Sequence, residues 1–418
     1  MNAKSSATNS QGHQITLLQG SAQYFAALAR AMDAAQHVVR MESYIFDTTA
    51  SGQEVAAALV RAAQRGLRVY LLVDGVGTEH LSKEWQARFT KNNVQWRVYK
   101  PLGSFGLLIP SRWRRLHRKL CVIDAGTPQA LGFCGGINIL DDFHDPNHGA
   151  LKEPRFDFAV QVSGPLLEQI DSALQRLWQS LDSFYLLKTK QLTQAVGSWV
   201  SERSRLIRPS VLAESALLET TALAARAHIV FRDNLRFRNR IEKAYLKAIG
   251  GASQEVIIAN AYFLPGGKLR KALLAAAKRG VRVQLLLQGR YEYFMQYHAA
   301  RPVYAQLLAA GIEIHEYEAS FLHAKVAVVD AYSSRAWATV GSSNLDPLSL
   351  LLAREANVVV HDTVFATELR DRLAQAIEQG GKKVDAKVFA NRSLYKRFLD
   401  RVAFALMRLA LSVTGNRY

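Results

Sequence analysis

The sequence predicts an α/β protein built from two similar tandem domains, each a mainly parallel sheet covered by helices on both faces. Three observations carry that reading. The 418 residues exceed what one small core organises. A set of ionisable motifs recurs in constant register. In each half, β-branched runs alternate with Ala-rich helical stretches, as strands joined by crossover helices do.

The elements follow in order. Val38-Val39-Arg40-Met41-Glu42-Ser43-Tyr44-Ile45-Phe46 corresponds to Val256-Ile257-Ile258-Ala259-Asn260-Ala261-Tyr262-Phe263-Leu264 at an offset of 218, each run suiting a buried strand with a helix before it. Arg65-Gly66-Leu67-Arg68-Val69 and Arg279-Gly280-Val281-Arg282-Val283, offset by 214, each end a helix with glycine at its C-terminal cap and open the next strand. The boundaries predicted are a disordered polar tail over 1–13, a first domain over 14–187, a helical linker over 188–226, a second domain over 227–386 and a C-terminal helix over 387–418. In that last segment Arg392, Lys396, Arg397, Arg401 and Arg408 alternate with Leu394, Phe398, Leu399, Val402, Phe404 and Leu406 at helical spacing. This is a basic amphipathic helix that either lies on an anionic surface or packs on the protein body.

With 49% hydrophobic and 9% aromatic residues the chain has ample core material, which excludes a globally disordered protein. Fifty-three Lys and Arg against 35 Asp and Glu leave a net charge of +18, which attracts nucleic acid, acidic membrane or phosphorylated substrates alike. Cys121 and Cys134 are the only cysteines, so no disulfide framework exists and a reducing compartment is expected. The polar N-terminus shows no secretory signal, and no apolar run is long enough to span a bilayer. Membrane contact, if made, is peripheral.

The recurring motif carries the chemistry. His117, Lys119, Asp124 and Asn138 have counterparts in His323, Lys325, Asp330 and Asn344, each at an offset of 206. One His-x-Lys-x4-Asp is weak evidence; two in register, each followed by Gly-x-x-Asn, are not chance. Alternate residues of an extended segment share a face, so each His and Lys point together, with Asn presented from a neighbouring strand. Two His and two Lys facing each other supply a nucleophile, an acid and fixed positive charge for a phosphodiester. No acidic cluster has metal-ligand spacing, so the reaction is expected to need no metal and no cofactor. Asp124 and Asp330 stand at strand ends, several residues from their histidines, and suit the fixing of turns or the pairing of cations.

These motifs resemble the two HKD motifs of the phospholipase D superfamily, and the likeness covers nearly the whole chain. Glu42-Ser-Tyr44-Ile, Asn260-Ala-Tyr-Phe-Leu-Pro-Gly266 and Ala338-Thr-Val-Gly-Ser-Ser-Asn-Leu-Asp-Pro-Leu-Ser-Leu350 are especially like bacterial cardiolipin synthases of the B type. The resemblance implies two phospholipase D-like α/β/α sandwich domains related by a pseudo-twofold axis, with one active site between them. It implies catalytic roles for His117, Lys119, Asp124, His323, Lys325 and Asp330, and phosphate-binding or supporting roles for Asn138, Asn344 and Ser342. It also implies that Asp157 and Glu355 hold the histidines in the correct tautomer. Where many members carry Ser in the first motif, this chain has Gly136. The implied reaction is a double displacement through a phosphohistidine, with His117 as nucleophile and His323 as acid and base, joining two phosphatidylglycerol molecules into cardiolipin and glycerol.

The first half carries twelve extra residues before its motif: Tyr99 to His117 spans 18 positions, whereas Tyr317 to His323 spans 6. Phe105, Leu107, Leu108, Ile109, Trp113, Arg114 and Arg115 in that insertion make an apolar tip over a basic base, fit either for a lipid interface or for packing on the domain. The expected partners are phosphatidylglycerol and an anionic membrane, at the cytoplasmic face of the inner membrane, and no nucleic acid, since no aromatic and basic groove motif is present. Competing readings are another phosphatidyl transferase, a hydrolytic phospholipase D, a nucleic-acid phosphodiesterase and a non-catalytic binding module. Oligomeric state is left open.

Overall fold

The computed structural model describes residues 8–10, 13–78, 81–101, 113–145, 148–188, 227–233, 237, 239–290, 294–346 and 353–413. The first half contains strands β1 (Thr8–Ser10), β2 (His13–Gln19), β3 (Val38–Ser43), β4 (Arg68–Asp74), β5 (Gln95–Tyr99) and β6 (Arg115–Leu116). These are followed by β7 (Leu120–Ile123), β8 (Leu131–Gly135), a small hairpin of β9 (His144–Asp145) and β10 (Gly149–Ala150), and β11 (Phe158–Ser163). Its helices are α1 (Gly20–Ala34), α2 (Gly52–Gln64), α3 (Lys83–Lys91) and α4 (Leu166–Lys188). The second half contains β12 (Ala227–Arg232), β13 (Glu255–Asn260), β14 (Arg282–Gln288), β15 (Glu313–Tyr317), β16 (Lys325–Val329), β17 (Trp337–Gly341), β18 (Ala353–Val360) and β19 (Gly381–Lys383). Its helices are α5 (Arg240–Gly251), α6 (Gly267–Lys278), α7 (Phe294–Ala309), α8 (Thr363–Gly380), α9 (Ala386–Ala390) and α10 (Leu394–Val413).

The main sheets run β1-β2-β11-β8-β7-β3-β4-β5 and β12-β18-β17-β16-β13-β14-β15-β19, seven strands of each in the same order with β1 and β19 added at opposite edges. The mostly parallel sheets expected from sequence are in fact mixed. Along these paths, among the described residues, only β3–β4, β4–β5, β13–β14 and β14–β15 pair in parallel, and β6 adds a parallel pairing to β18 off the path. The remaining neighbours are antiparallel. The cause lies in the connections: among the described residues, a helix joins strands that are neighbours in the sheet only from β3 to β5 and from β13 to β15. The motif strands β7 and β8, or β16 and β17, follow one another through a short turn, which forces them antiparallel. Gly66 and Gly280, at φ 88° and 86°, end α2 and α6 in the left-handed conformation that lets the next strand start at once.

Apolar faces sort into layers. One buried cluster joins α1, α2 and α3 to the first sheet and another joins α5, α6 and α7 to the second. A third draws on α4, α8 and both sheets, including Leu120, Val122, Val326, Val328, Leu174 and Leu369. The halves are therefore welded by shared core rather than hinged through a polar seam.

Within the stretch read as a disordered tail, Thr8–Ser10 pairs with His13–Ile15 as an edge strand, which needs only backbone hydrogen bonds and no apolar side chains. Of the expected linker, residues 189–226 lie outside the described residues, as do Phe105, Leu107, Leu108 and Ile109. No described helix is long and apolar enough to cross a membrane.

Candidate active site

The backbone places the two motifs by crossing between halves. β6, from the first half, pairs in parallel with β18 of the second, Arg115 beside Ala353 and Leu116 beside Arg354. His117 N–H then donates to the Arg354 carbonyl (3.1 Å). The pseudo-equivalent bridge joins Leu322 to Phe156, and His323 N–H donates to the Phe156 carbonyl (2.9 Å). Each histidine thus stands directly against the residue that precedes the other half's carboxylate.

Side chains repeat the exchange. His117 Nδ1 meets both oxygens of Glu355 at 3.0 and 3.1 Å, and His323 Nδ1 meets Asp157 Oδ2 at 2.6 Å. Sequence comparison expected a carboxylate for each histidine; the structure shows that the partners are swapped between halves. With Nδ1 engaged, Nε2 of each ring is the atom left to face a substrate. Lys119 Nζ donates to the His117 carbonyl (2.8 Å), Lys325 Nζ to the His323 carbonyl, and both lysines are buried.

The electrostatics are those of a site waiting for an anion. Burial lowers Lys119 to about 7, and the charge of Lys325 contributes, so two ammonium groups bear on one space. Burial lowers His117, with Lys119 and Lys325 adding to the effect and Glu355 opposing it. Burial also lowers His323 well below its ordinary value, helped by Lys325, Lys119 and His117. A phosphodiester entering among these groups would restore the charge they lack.

The two carboxylates are not equivalent. Burial pushes Glu355 up, yet His117, Lys119 and a hydrogen bond from Ser342 Oγ (2.5 Å) outweigh it and leave its pKa below the ordinary value. Asp157 is raised to about 7 by burial, although Lys325 and the Phe158 N–H pull the other way. One contributor to the difference lies at a single position of the repeat. Ser342 supports Glu355, whereas its counterpart Gly136 gives Asp157 room: a Cβ at 136 would lie 2.4 Å from Asp157 Oδ1 and 2.8 Å from Oδ2. Gly136→Ser is therefore expected to displace Asp157 from His323 and lower kcat/KM by about 100-fold, the scale of a 1 Å misplacement. Gly250→Ala, where the added methyl meets nothing within 4 Å, should leave steady-state kinetics unchanged.

Asn138 Oδ1 accepts from Ile45 N–H (3.2 Å), which orients its amide, and Asn344 is buried with no hydrogen-bond partner for Oδ1 among the described residues. Asp124 and Asp330 lie at the far ends of their strands. Asp124 accepts backbone N–H groups of Gln36, His37 and Val38 at 2.7–2.9 Å. Asp330 accepts those of Ser253, Gln254 and Glu255 at 2.8–2.9 Å. Burial would raise both, but these donors win and both are lowered. They hold the starts of β3 and β13 against the turns that follow β7 and β16, so their place is structural rather than among the reacting groups.

Arg115 departs from its expected membrane contact. Its guanidinium turns inward to the fully buried Asp74 (3.1 Å) and the Lys100 carbonyl (3.1 Å). A desolvated carboxylate is a stronger partner for guanidinium than a wet surface. Trp113 is exposed and Arg114 partly so.

Three contributors went unnoticed in the sequence. Asp74 Oδ2 accepts Leu116 N–H (2.7 Å), and Gln288 Oε1 accepts Leu322 N–H (3.2 Å), so the residue before each histidine is held by the last residue of β4 or β14. Tyr44 packs edge-on against His117 at 4.8 Å and lies 5.1 Å from Lys119 Nζ. The 214 offset aligns Asp74 with Gln288, a signal hidden by their different chemistry. Among the described residues, no group of three His, Cys, Asp or Glu is arranged to hold a metal.

The family model described as "Cardiolipin synthase, PLD-like domain" matches residues 28–151 and 245–377, one match on each half. The chain belongs to the cardiolipin synthase family of phospholipase D-like proteins. It is 36% identical to cardiolipin synthase B of Escherichia coli K12 over 405 residues, covering 97% of this chain and 90% of the relative. It is 28% identical to a cardiolipin synthase of Halalkalibacterium halodurans, covering 90% and 68%. Among solved structures, the phosphatidylserine synthase of Haemophilus influenzae matches at a TM-score of 0.64 and 13% identity, covering 96% of this chain and 94% of that one. That likeness speaks for the fold. Family membership makes this chain an enzyme and its substrates phospholipids.

Proposed function

We propose that this cardiolipin synthase family member condenses two phosphatidylglycerol molecules into cardiolipin and glycerol, through one active site closed within a single chain. The observation that carries the chemistry is the crossed pairing of each histidine Nδ1 with the other half's carboxylate, which leaves two Nε2 atoms for one phosphodiester.

His117 Nε2 attacks phosphorus of the first lipid. The bond from phosphorus to the glycerol headgroup oxygen breaks, and His323 passes its Nε2 proton to that oxygen, releasing glycerol. The second lipid's headgroup hydroxyl then gives its proton to His323 as its oxygen attacks the same phosphorus. The bond to His117 breaks, and the resulting phosphodiester links two lipids. Lys119, Lys325, Asn138 and Asn344 stabilise the nonbridging oxygens as charge redistributes.

The assignment of roles follows the unequal carboxylates. Glu355, braced by Ser342 and held ionised, suits the lasting positive charge of a phosphorylated His117. Asp157, raised to about 7, suits a pair that gives and regains a proton. Peripheral attachment to the cytoplasmic face of the inner membrane fits a site that works on lipids in a chain whose described helices do not span.

The test is incubation of purified protein with phosphatidylglycerol vesicles and a chelator, with products identified by mass spectrometry. Cardiolipin and glycerol in equal amounts are expected. Phosphatidic acid alone would reassign the enzyme to hydrolysis, and no lipid turnover beside cleavage of DNA would overturn the reading.

A further inference from the structure

We propose that the outer face of α10 is a docking surface for an anionic lipid bilayer, while its inner face fixes the helix rigidly to the second half. The inference rests on the reading of this chain as an enzyme of membrane lipids, and it names the element that makes the contact.

The inner face is built into the protein. Ala403 and the neighbouring Phe389 of α9 belong to the buried cluster of the second half. Asp400, 3% exposed, takes His298 Nδ1 of α7 at 2.7 Å and Arg392 Nη1 at 2.8 Å. A buried carboxylate held from two sides sets both the rotation and the position of the helix. Of the two sequence expectations for this segment, packing on the body is seen at this inner face, and lying on a surface is the role proposed for the outer one.

The outer face has no counterpart in a water-facing helix. Leu394, Phe398, Val402 and Leu406 follow at four-residue spacing, at 80%, 63%, 37% and 50% exposure, with Tyr395 beside them at 70%. Val388 of α9 adds a further large apolar group at 71% exposure. Single exposed apolar residues are ordinary, but a stripe of four along one helix, widened by two more, marks an interaction surface. Arg397 and Arg401, both exposed, run along one edge of it.

Charge decides the occupant. A second copy would bring another molecule of net charge +18 onto the same arginine-edged face. An anionic bilayer satisfies both parts of the pattern: leucine, phenylalanine and tyrosine enter the acyl boundary while arginines pair with headgroup phosphates. Because the clamp at Asp400 fixes α10 to the second half, lipid binding would also fix how the catalytic body sits on the surface.

The experiment is flotation of the full chain with vesicles of phosphatidylglycerol or of phosphatidylcholine, beside activity on phosphatidylglycerol in detergent micelles. Leu394→Ser, Phe398→Ser and Leu406→Ser combined should weaken binding to phosphatidylglycerol vesicles about tenfold or more, since three large side chains leave the acyl boundary. Micellar activity should stay intact. Arg397→Glu with Arg401→Glu should erase the preference for the anionic vesicles. Flotation at wild-type affinity by both variants would overturn the proposal. Loss of a dimer in sedimentation with unchanged flotation would assign the face to a second copy. If wild-type protein floats through α10 yet makes no cardiolipin, the docking surface stands and the proposed reaction falls.

Discussion

His117→Ala and His323→Ala are each expected to abolish cardiolipin formation, a loss on the order of 10⁴-fold or more, and a mixture of the two variants should remain inactive. The first expectation follows from chemistry: without His117 Nε2 no phosphohistidine forms, and without His323 no proton reaches the departing glycerol. The second follows from connectivity. His117 is backed by Glu355 of its own chain and His323 by Asp157 of its own chain, through bridges between β6 and β18 and between Phe156 and Leu322. The shared apolar cluster would have to come apart for the two halves to exchange partners between molecules. Turnover by each variant and by the mixture is the measurement. Restored activity in the mixture would show a site assembled from two chains. Radiolabelled lipid separates the roles: covalent label retained in His117→Ala but absent from His323→Ala would reverse the assignment of nucleophile and acid.

How far the sequence discloses this site depends on which offsets are constant. His117, Lys119 and Asn138 are legible because their counterparts keep both spacing and residue type, so repetition alone singles them out. The exchange of Glu355 and Asp157 between halves is not legible. Each half carries one histidine and one carboxylate, and only tertiary structure, in β6 crossing to β18, decides who meets whom. Asp74 and Gln288 escape notice for a different reason: they make the same backbone contact with different side chains, so comparing halves erases them. The sheet direction was misjudged because, among the described residues, crossover helices join neighbouring strands only from β3 to β5 and from β13 to β15. The turns carrying Asp124 and Asp330, at φ 50° and 48°, reverse the chain within a few residues, so the strands they join run antiparallel. Arg115 looked lipid-facing beside Trp113 and Arg114, and only a buried carboxylate 41 positions upstream turns it inward.

Glu355→Gln and Asp157→Asn carry the other large effect, an expected fall in kcat on the order of 10³- to 10⁴-fold with the protein still folded, because an amide can stabilise the wrong imidazole tautomer and cannot balance an imidazolium. Their pH profiles should distinguish them. In the wild type, His117 must be neutral to attack, and burial holds it below its ordinary value of 6.5, so activity should rise as pH climbs through a value under 6.5. The His323 and Asp157 pair must hold a proton for glycerol, and with Asp157 at about 7 that proton is present below 7 and lost above it. Lys119, also at about 7, sheds its charge over the same range, so the wild-type profile should be a narrow bell. Asp157→Asn removes one of the two groups that shape the alkaline limb and should displace it, leaving the acid limb in place. Glu355→Gln removes the carboxylate that favours His117 protonation, so the acid limb should shift further toward low pH. Residual kcat within tenfold of wild type in both variants, or identical profiles for the two, would show that the crossed carboxylates hold the fold and not the reaction.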